Sequence, residues 1–170
     1  MKNDAPTGTA QTLDTDAVRT ALGGFATGET IVTCRDAAGL PVGLTVSSFN
    51  ALSLDPPLVL WSLRLASPNL VAFDAASHFA VNVLAESQVE LSRRFALPLP
   101  DKFAEGLWLS GVRDLPLLAG SAATFECALS SQQTSGDHRL YIGRVLAVQS
   151  QPVSPLLYHA GRYHLMGEIL

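Results

Sequence analysis

Charged side chains are scarce in this sequence. Only 15% of its 170 residues are Asp, Glu, Lys or Arg, against about 25% in ordinary globular domains. The cations are mostly scattered arginines, and the net charge is −4. No basic block exists, so nucleic-acid binding lacks its electrostatic footprint. Nothing polybasic points to a membrane surface either. Cysteine is scarce too. Cys34 and Cys127 stand apart with no CxxC pair, and a reduced, cytoplasmic protein is the simplest reading. Long apolar runs are missing. The longest stretch without a charge, residues 37–54, is broken by Gly39, Pro41, Gly43, Asn50 and several hydroxyls, which a bilayer span does not tolerate. The opening MKNDAPTGTAQTLDTD has no apolar stretch, so no secretory signal is expected.

The common catalytic motifs are also missing. No two glycines sit at i, i+2, so the GxGxxG dinucleotide fingerprint is excluded. There is no GxxxxGK[ST] and no GxSxG, which removes the P-loop and the esterase elbow. No pair of carboxylates lies in apolar sequence as a general acid–base couple would. His159 and His164 differ by five, and on one extended strand they would point to opposite faces. No metal site is expected from them.

What is present is an apolar chain of one-domain length, 48% hydrophobic. So few charges on so apolar a chain read as surface hidden in an oligomer or around a ligand, the alternative being a monomer with a Ser/Thr-rich surface. Residues 1–12 read as a loose tail. Asp14 or Thr15 caps a helix whose apolar positions are Val18, Leu22 and Phe25, stopped by Gly23-Gly24. Strands are expected at Thr30–Arg35, Val42–Ser47, Leu58–Leu63 and Phe79–Leu84. Ser67-Pro68-Asn69 opens a helix, and Ser87 with Glu90 forms a capping box for another that runs to Ala96. Residues 97–116 are punctuated by Pro and Gly, with one short helix near Lys102. Two long strands, Thr124–Gln132 and His138–Gln149, flank a turn at Thr134–Asp137, and a last pair surrounds Gly161. Strands joined by turns, not by regular helical crossovers, indicate a mainly β, antiparallel barrel with peripheral helices.

The stretch from Asp36 to Asp74 holds only Asp55 and Arg64 as internal charges, yet carries Thr45, Ser47, Ser48, Ser53, Ser62 and Ser67. Hydroxyls on apolar strands suit a planar, polar ligand. Arg64 stands just ahead of the Ser67 hydroxyl, a combination that suits a phosphate. The residues alone reach no further than a phosphorylated, ring-bearing ligand. Asn82 reads as a buried structural amide. Trp61 and Trp108 read as core or dimer interface, Cys127 as core, and Phe49 as core or ring-stacking.

Five ordered pieces then resemble the short-chain flavin reductases with the FMN-binding split-barrel fold, the reductase partners of two-component flavin monooxygenases. The pieces are FATGETIVT (25–33), GLTVSSFNALSLDPP (43–57), HFAVNVLAESQVELSRRFA (78–96), SGDHRLYIGRV (135–145) and PLLYHAGRYHL (155–165). The resemblance implies one domain over 13–170, built as a six-stranded, Greek-key type antiparallel split β-barrel, and a homodimer with flavin at its interface. It implies FMN, or FAD, reduced by NADH or NADPH and passed to a separate monooxygenase. It places the flavin ring against Thr45, Val46, Ser47, Ser48 and Ala51, and the phosphate near Ser62, Arg64, Ser67 and Asn69. His138 then lies beside the ring and the nicotinamide, and Arg162 and Tyr163 close the pocket. Two positions depart from the family: Asn69 stands where Thr is common, and Glu29 where an apolar residue is commoner. Hydride passes from the nicotinamide to the flavin, so the chemistry belongs to the cofactor and no protein nucleophile is needed. The alternative is a flavin- or haem-binding module on the same barrel without free-flavin turnover.

Overall fold

A computed structural model describes residues 13–169; the tail expected over 1–12 lies outside them. In chain order the elements are α1 (Thr15–Gly23), β1 (Thr27–Gly28), β2 (Thr30–Arg35), β3 (Pro41–Val46), β4 (Asn50–Leu54), β5 (Pro57–Arg64), α2 (Leu70–Ala75), β6 (His78–Val83), α3 (Val89–Ala96), β7 (Trp108–Ser110), β8 (Pro116–Leu118), β9 (Ala123–Ser135), β10 (His138–Ser150), β11 (Leu157–His159) and β12 (Arg162–His164). Short 3-10 turns occupy 86–88, 102–104 and 112–114.

The main sheet is antiparallel, in the order β3-β2-β6-β9-β10-β5-β4. It has seven strands, one more than the resemblance implies, because β4, between the expected strands Val42–Ser47 and Leu58–Leu63, pairs with β5. The sheet curls until the segment after β3 meets β5. There the Ser48 hydroxyl donates to the Ser62 carbonyl (2.9 Å) and accepts from the Ser62 N–H (3.0 Å). This clasp closes the split barrel. A smaller sheet, β1-β11-β12, and the hairpin β7-β8 flank it.

Sequence period explains which faces are buried. In β5, Val59, Trp61 and Leu63 turn inward and Ser62 and Arg64 turn outward. In β2 nearly every residue is buried, since Val32 and Cys34 face the barrel core while Ile31 packs on Leu84, Phe95, Leu118 and Leu156 outside it. β-branched residues suit a strand covered on both faces. Trp61 lies at the centre, stacked on Tyr141 at 4.5 Å and edge-on to Phe73 at 4.9 Å. Phe49 packs on the same core, near Phe125. Cys34 and Cys127 are buried and unbonded there, and burial pushes both thiols up to about 12. Asn82 is the structural amide expected: its Nδ2 donates to the Ile31 carbonyl (3.0 Å) and its Oδ1 accepts from Leu118 N–H (2.8 Å).

Local starts differ from the sequence reading in two places. The second helix begins at Leu70, with Asn69 at its cap position, and the Ser67 hydroxyl only accepts from Asn69 N–H at 3.3 Å. The third helix is entered through Gln88, whose side chain accepts from Ala85 N–H (3.0 Å), while Glu90 pairs with Arg93 instead of Ser87. His159 and His164 lie on the two strands of the expected last pair around Gly161, and their rings are 5.6 Å apart. Among the described residues no three metal-ligating side chains cluster, and no helix is long and apolar enough to cross a membrane.

Candidate functional site

Arg64 and His138 are direct partners across the β5–β10 ladder. Opposite residues of an antiparallel pair share a face, so both project from the outer side at the end of that pair. The hairpin turn that starts β10 places His138. Gly136, at φ +59°, takes the left-handed first position of the two-residue turn that only glycine fills cheaply. Asp137 follows, and its carboxylate lies 2.7 Å from His138 Nδ1. A proton on Nδ1 satisfies that bond and directs Nε2 outward. Asp137 is held below the usual carboxylate range, first by the hydrogen bond and charge of His138 and more weakly by Arg64.

These two residues stand at the rim of a cleft of about 580 Å³. Its walls are the end of β3 with Thr45, Val46, Ser47 and Ser48, the end of β5 with Ser62 and Arg64, then Ser67 and His138. Eight of the twelve residues singled out from the sequence are therefore brought together here. Apolar surface comes from Leu44, Leu63, Ala66 and Ala96. No pattern in the sequence marked these four, since small and aliphatic side chains carry no chemical signal. The remaining four singled-out residues line no part of this cleft. Ala51 lies exposed on edge strand β4. Asn69 opens onto a neighbouring depression with Pro68 and Val71. Arg162 is exposed on β12. Tyr163 meets Ser92 of α3, hydroxyl to hydroxyl, at 3.1 Å. Ser92 in turn accepts Thr45 Oγ1 on its carbonyl at 2.7 Å, so Tyr163 is tied to the cleft wall at second hand.

The donor set fits a flavin. The volume lies within the range of small-molecule sites, about 300–1,000 Å³, and the cleft pairs one guanidinium with hydroxyls on an apolar floor. Arg64 has no ion-pair partner among the described residues, which leaves its fork for an anionic group.

Residues 22–167 match the family model of the Flavin reductase like domain. The chain belongs to this family. A probable flavin reductase of Rhizobium meliloti (strain 1021) is 44% identical over 155 residues, which are 91% of this chain and 50% of that protein. The reductase subunit HsaB of a flavin-dependent monooxygenase from Rhodococcus jostii (strain RHA1) is 42% identical over 155 residues, 91% of this chain and 79% of that one. The solved NADH:FAD oxidoreductase SgcE6 of Streptomyces globisporus C-1027 matches with a TM-score of 0.87 at 32% identity, over 97% of this chain and all of that one. The chain thus spans about half the length of the Rhizobium relative. As a flavin reductase like domain it shares the antiparallel split barrel of its solved neighbours.

Proposed function

We propose that this protein is an NAD(P)H:flavin oxidoreductase that supplies reduced FMN, or FAD, to a partner monooxygenase. One observation carries the reading: Arg64 and His138 are paired across the strand ends at the rim of the hydroxyl-lined cleft. Bound flavin supplies the hydride-accepting chemistry itself. The chain's residues bind and orient. Arg64, with the Ser62 and Ser67 hydroxyls beside it, holds the phosphate. The Thr45–Ser48 segment offers the ring edge its backbone and hydroxyl groups, and Leu44, Leu63, Ala66 and Ala96 keep water from one face. His138, steadied by Asp137, presents Nε2 to the reacting rings. The protein works as a homodimer, in which Ala51, Asn69, Arg162 and Tyr163 complete the pocket near the subunit boundary. The donor is NADH or NADPH, and the name of the Streptomyces neighbour, an NADH:FAD oxidoreductase, supports NADH.

The test is oxidation of NADH and NADPH with each of FMN, FAD and riboflavin. Steady turnover that depends on added free flavin supports the reductase. Retained yellow colour without such turnover would make the chain a flavin-holding module instead. Arg64→Ala should raise the FMN dissociation constant about ten- to a hundredfold, the scale of a lost charge-assisted bond, and leave riboflavin nearly unaffected. Equal losses for both flavins would make Arg64 structural.

A further inference from the structure

Glu29 lies between β1 and β2 at 3% exposure. Its backbone is fully engaged, donating to the Leu156 carbonyl (3.0 Å) and accepting from Leu84 N–H (2.9 Å). Its carboxylate is only partly so. Oε2 is buried without a hydrogen-bond partner, and among the described residues no cation pairs with it.

The charged groups on the surrounding elements are engaged elsewhere or exposed. On α3, Arg93 pairs with Glu90 at 2.5 Å and lies over the Tyr163 ring, and Arg94 donates to the Asp101 and Lys102 carbonyls. Glu86, ahead of α3, is exposed, as are Arg162 and His164 on β12. His159 on β11 meets His164 edge-on. At the far end of β2, Arg35 donates to the Asp114 and Gly39 carbonyls, and at the far end of β6 His78 meets Ser77. The polar side chain set against the Glu29 carboxyl is Ser92. Desolvation without a compensating cation pushes Glu29 up to about 7, and Ser92 opposes this only in part.

Ser92 is a junction. It is buried, its hydroxyl meets Tyr163 and its carbonyl holds Thr45. Next to Glu29, Thr30 donates from Oγ1 to the Val46 carbonyl at 2.8 Å. Two routes therefore run from Glu29 to adjacent residues of the cleft wall.

We propose that Glu29 is a positioning residue of the flavin site, fixing Ser92 and through it the seat of Thr45 and the docking of Tyr163. This rests on the cleft being the flavin site. A neutral acid fits the junction with no net charge. A carboxylate there requires more donors than Ser92 alone supplies, so ionisation loosens the wall and flavin binding weakens. Glutamine keeps the shape and hydrogen-bonding capacity and never ionises.

The experiment measures riboflavin binding, free of a titrating phosphate, from about pH 6 to about pH 8.5, on either side of the Glu29 ionisation. Wild-type affinity is expected to fall about tenfold more across this range than that of E29Q, whose His138 is unchanged and serves as the internal control. The same slope in both proteins overturns the proposal. If E29Q does not fold, Ser92→Ala cuts the junction from the other side and should flatten the slope by losing the low-pH affinity; a retained slope overturns it equally. FMN binding by Arg64→Ala keeps the two readings apart. Unchanged FMN affinity there removes the cleft as flavin site and this proposal with it. Weakened FMN affinity with an unaltered E29Q slope removes Glu29 alone.

Discussion

His138 has one ring nitrogen committed to Asp137, which makes it a fixed group and not a freely rotating surface imidazole. On the proposed function its loss should spare binding and slow chemistry. His138→Ala is expected to leave the flavin constant within a few-fold and to slow reduction by saturating NADH about tenfold, roughly 1.4 kcal/mol of barrier. Stopped-flow reduction of the flavin-bound variant measures this, and a rate equal to wild type would take His138 out of the site. Glu29 has a consequence for stability as well. Its folded pKa is raised from 4.5 to about 7, so the folded protein binds that proton more tightly than the unfolded chain. The associated stability is fully present below about pH 4.5 and is lost as pH rises to about 7, and above that the buried charge costs about 3 kcal/mol. E29Q removes the penalty. Its unfolding free energy should gain on wild type between acid and mildly alkaline buffer, and urea titrations at the two ends decide it.

At the scale of the element, close packing between β6, β9 and β10 leaves no room at Gly143. A Cβ there would lie 2.4 Å from Phe79 Cζ and 2.9 Å from Cys127 Cβ. Cys127 is backbone-anchored in a central strand, so it cannot swing away. Gly143→Ala should cost about 1–3 kcal/mol of stability by overpacking, read as a lower denaturation midpoint with the flavin chemistry otherwise intact. The strands with strong local signals were legible from residues alone. β2 coincides with the β-branched run Thr30–Arg35, and the β9–β10 hairpin follows its Gly136-Asp137 turn. β4 was not legible, because Asn50–Leu54 lies mostly exposed at the sheet edge, with no alternation to mark it and Asp55-Pro56-Pro57 directly after. The β7–β8 hairpin was hidden for a similar reason: its strands are three residues long and lie among glycines and prolines. The starts of the second and third helices were misread where two polar residues competed for one cap, Ser67 with Asn69 and Ser87 with Gln88. In the cleft, Arg64, His138 and the wall hydroxyls stood out in the sequence. Ser92 and Ala96 did not, since their importance comes from what the fold lays beside them.

On the scale of the whole molecule, the apolar surface is unevenly spread. No residue of α1 is buried, and Leu22 and Phe25 are each 68% exposed. Leu165 and Met166, beyond the last hairpin, are exposed as well. Such surface, on a chain with few charges, fits a second copy of the chain. Light scattering at micromolar concentration is expected to return twice the 18.0 kDa chain mass. A stable particle of single-chain mass that still reduces flavin would show that each chain carries a complete site.

The two buried thiols bear on the setting in which such a protein would work. Reduced flavin that escapes its acceptor meets oxygen and yields peroxide, and peroxide attacks thiolates, not thiols. With Cys34 and Cys127 both enclosed and their ionisation deferred to about 12, almost no thiolate exists at cellular pH. On the proposed function, the fold keeps both sulfurs out of reach of the oxidant that escaping product would generate.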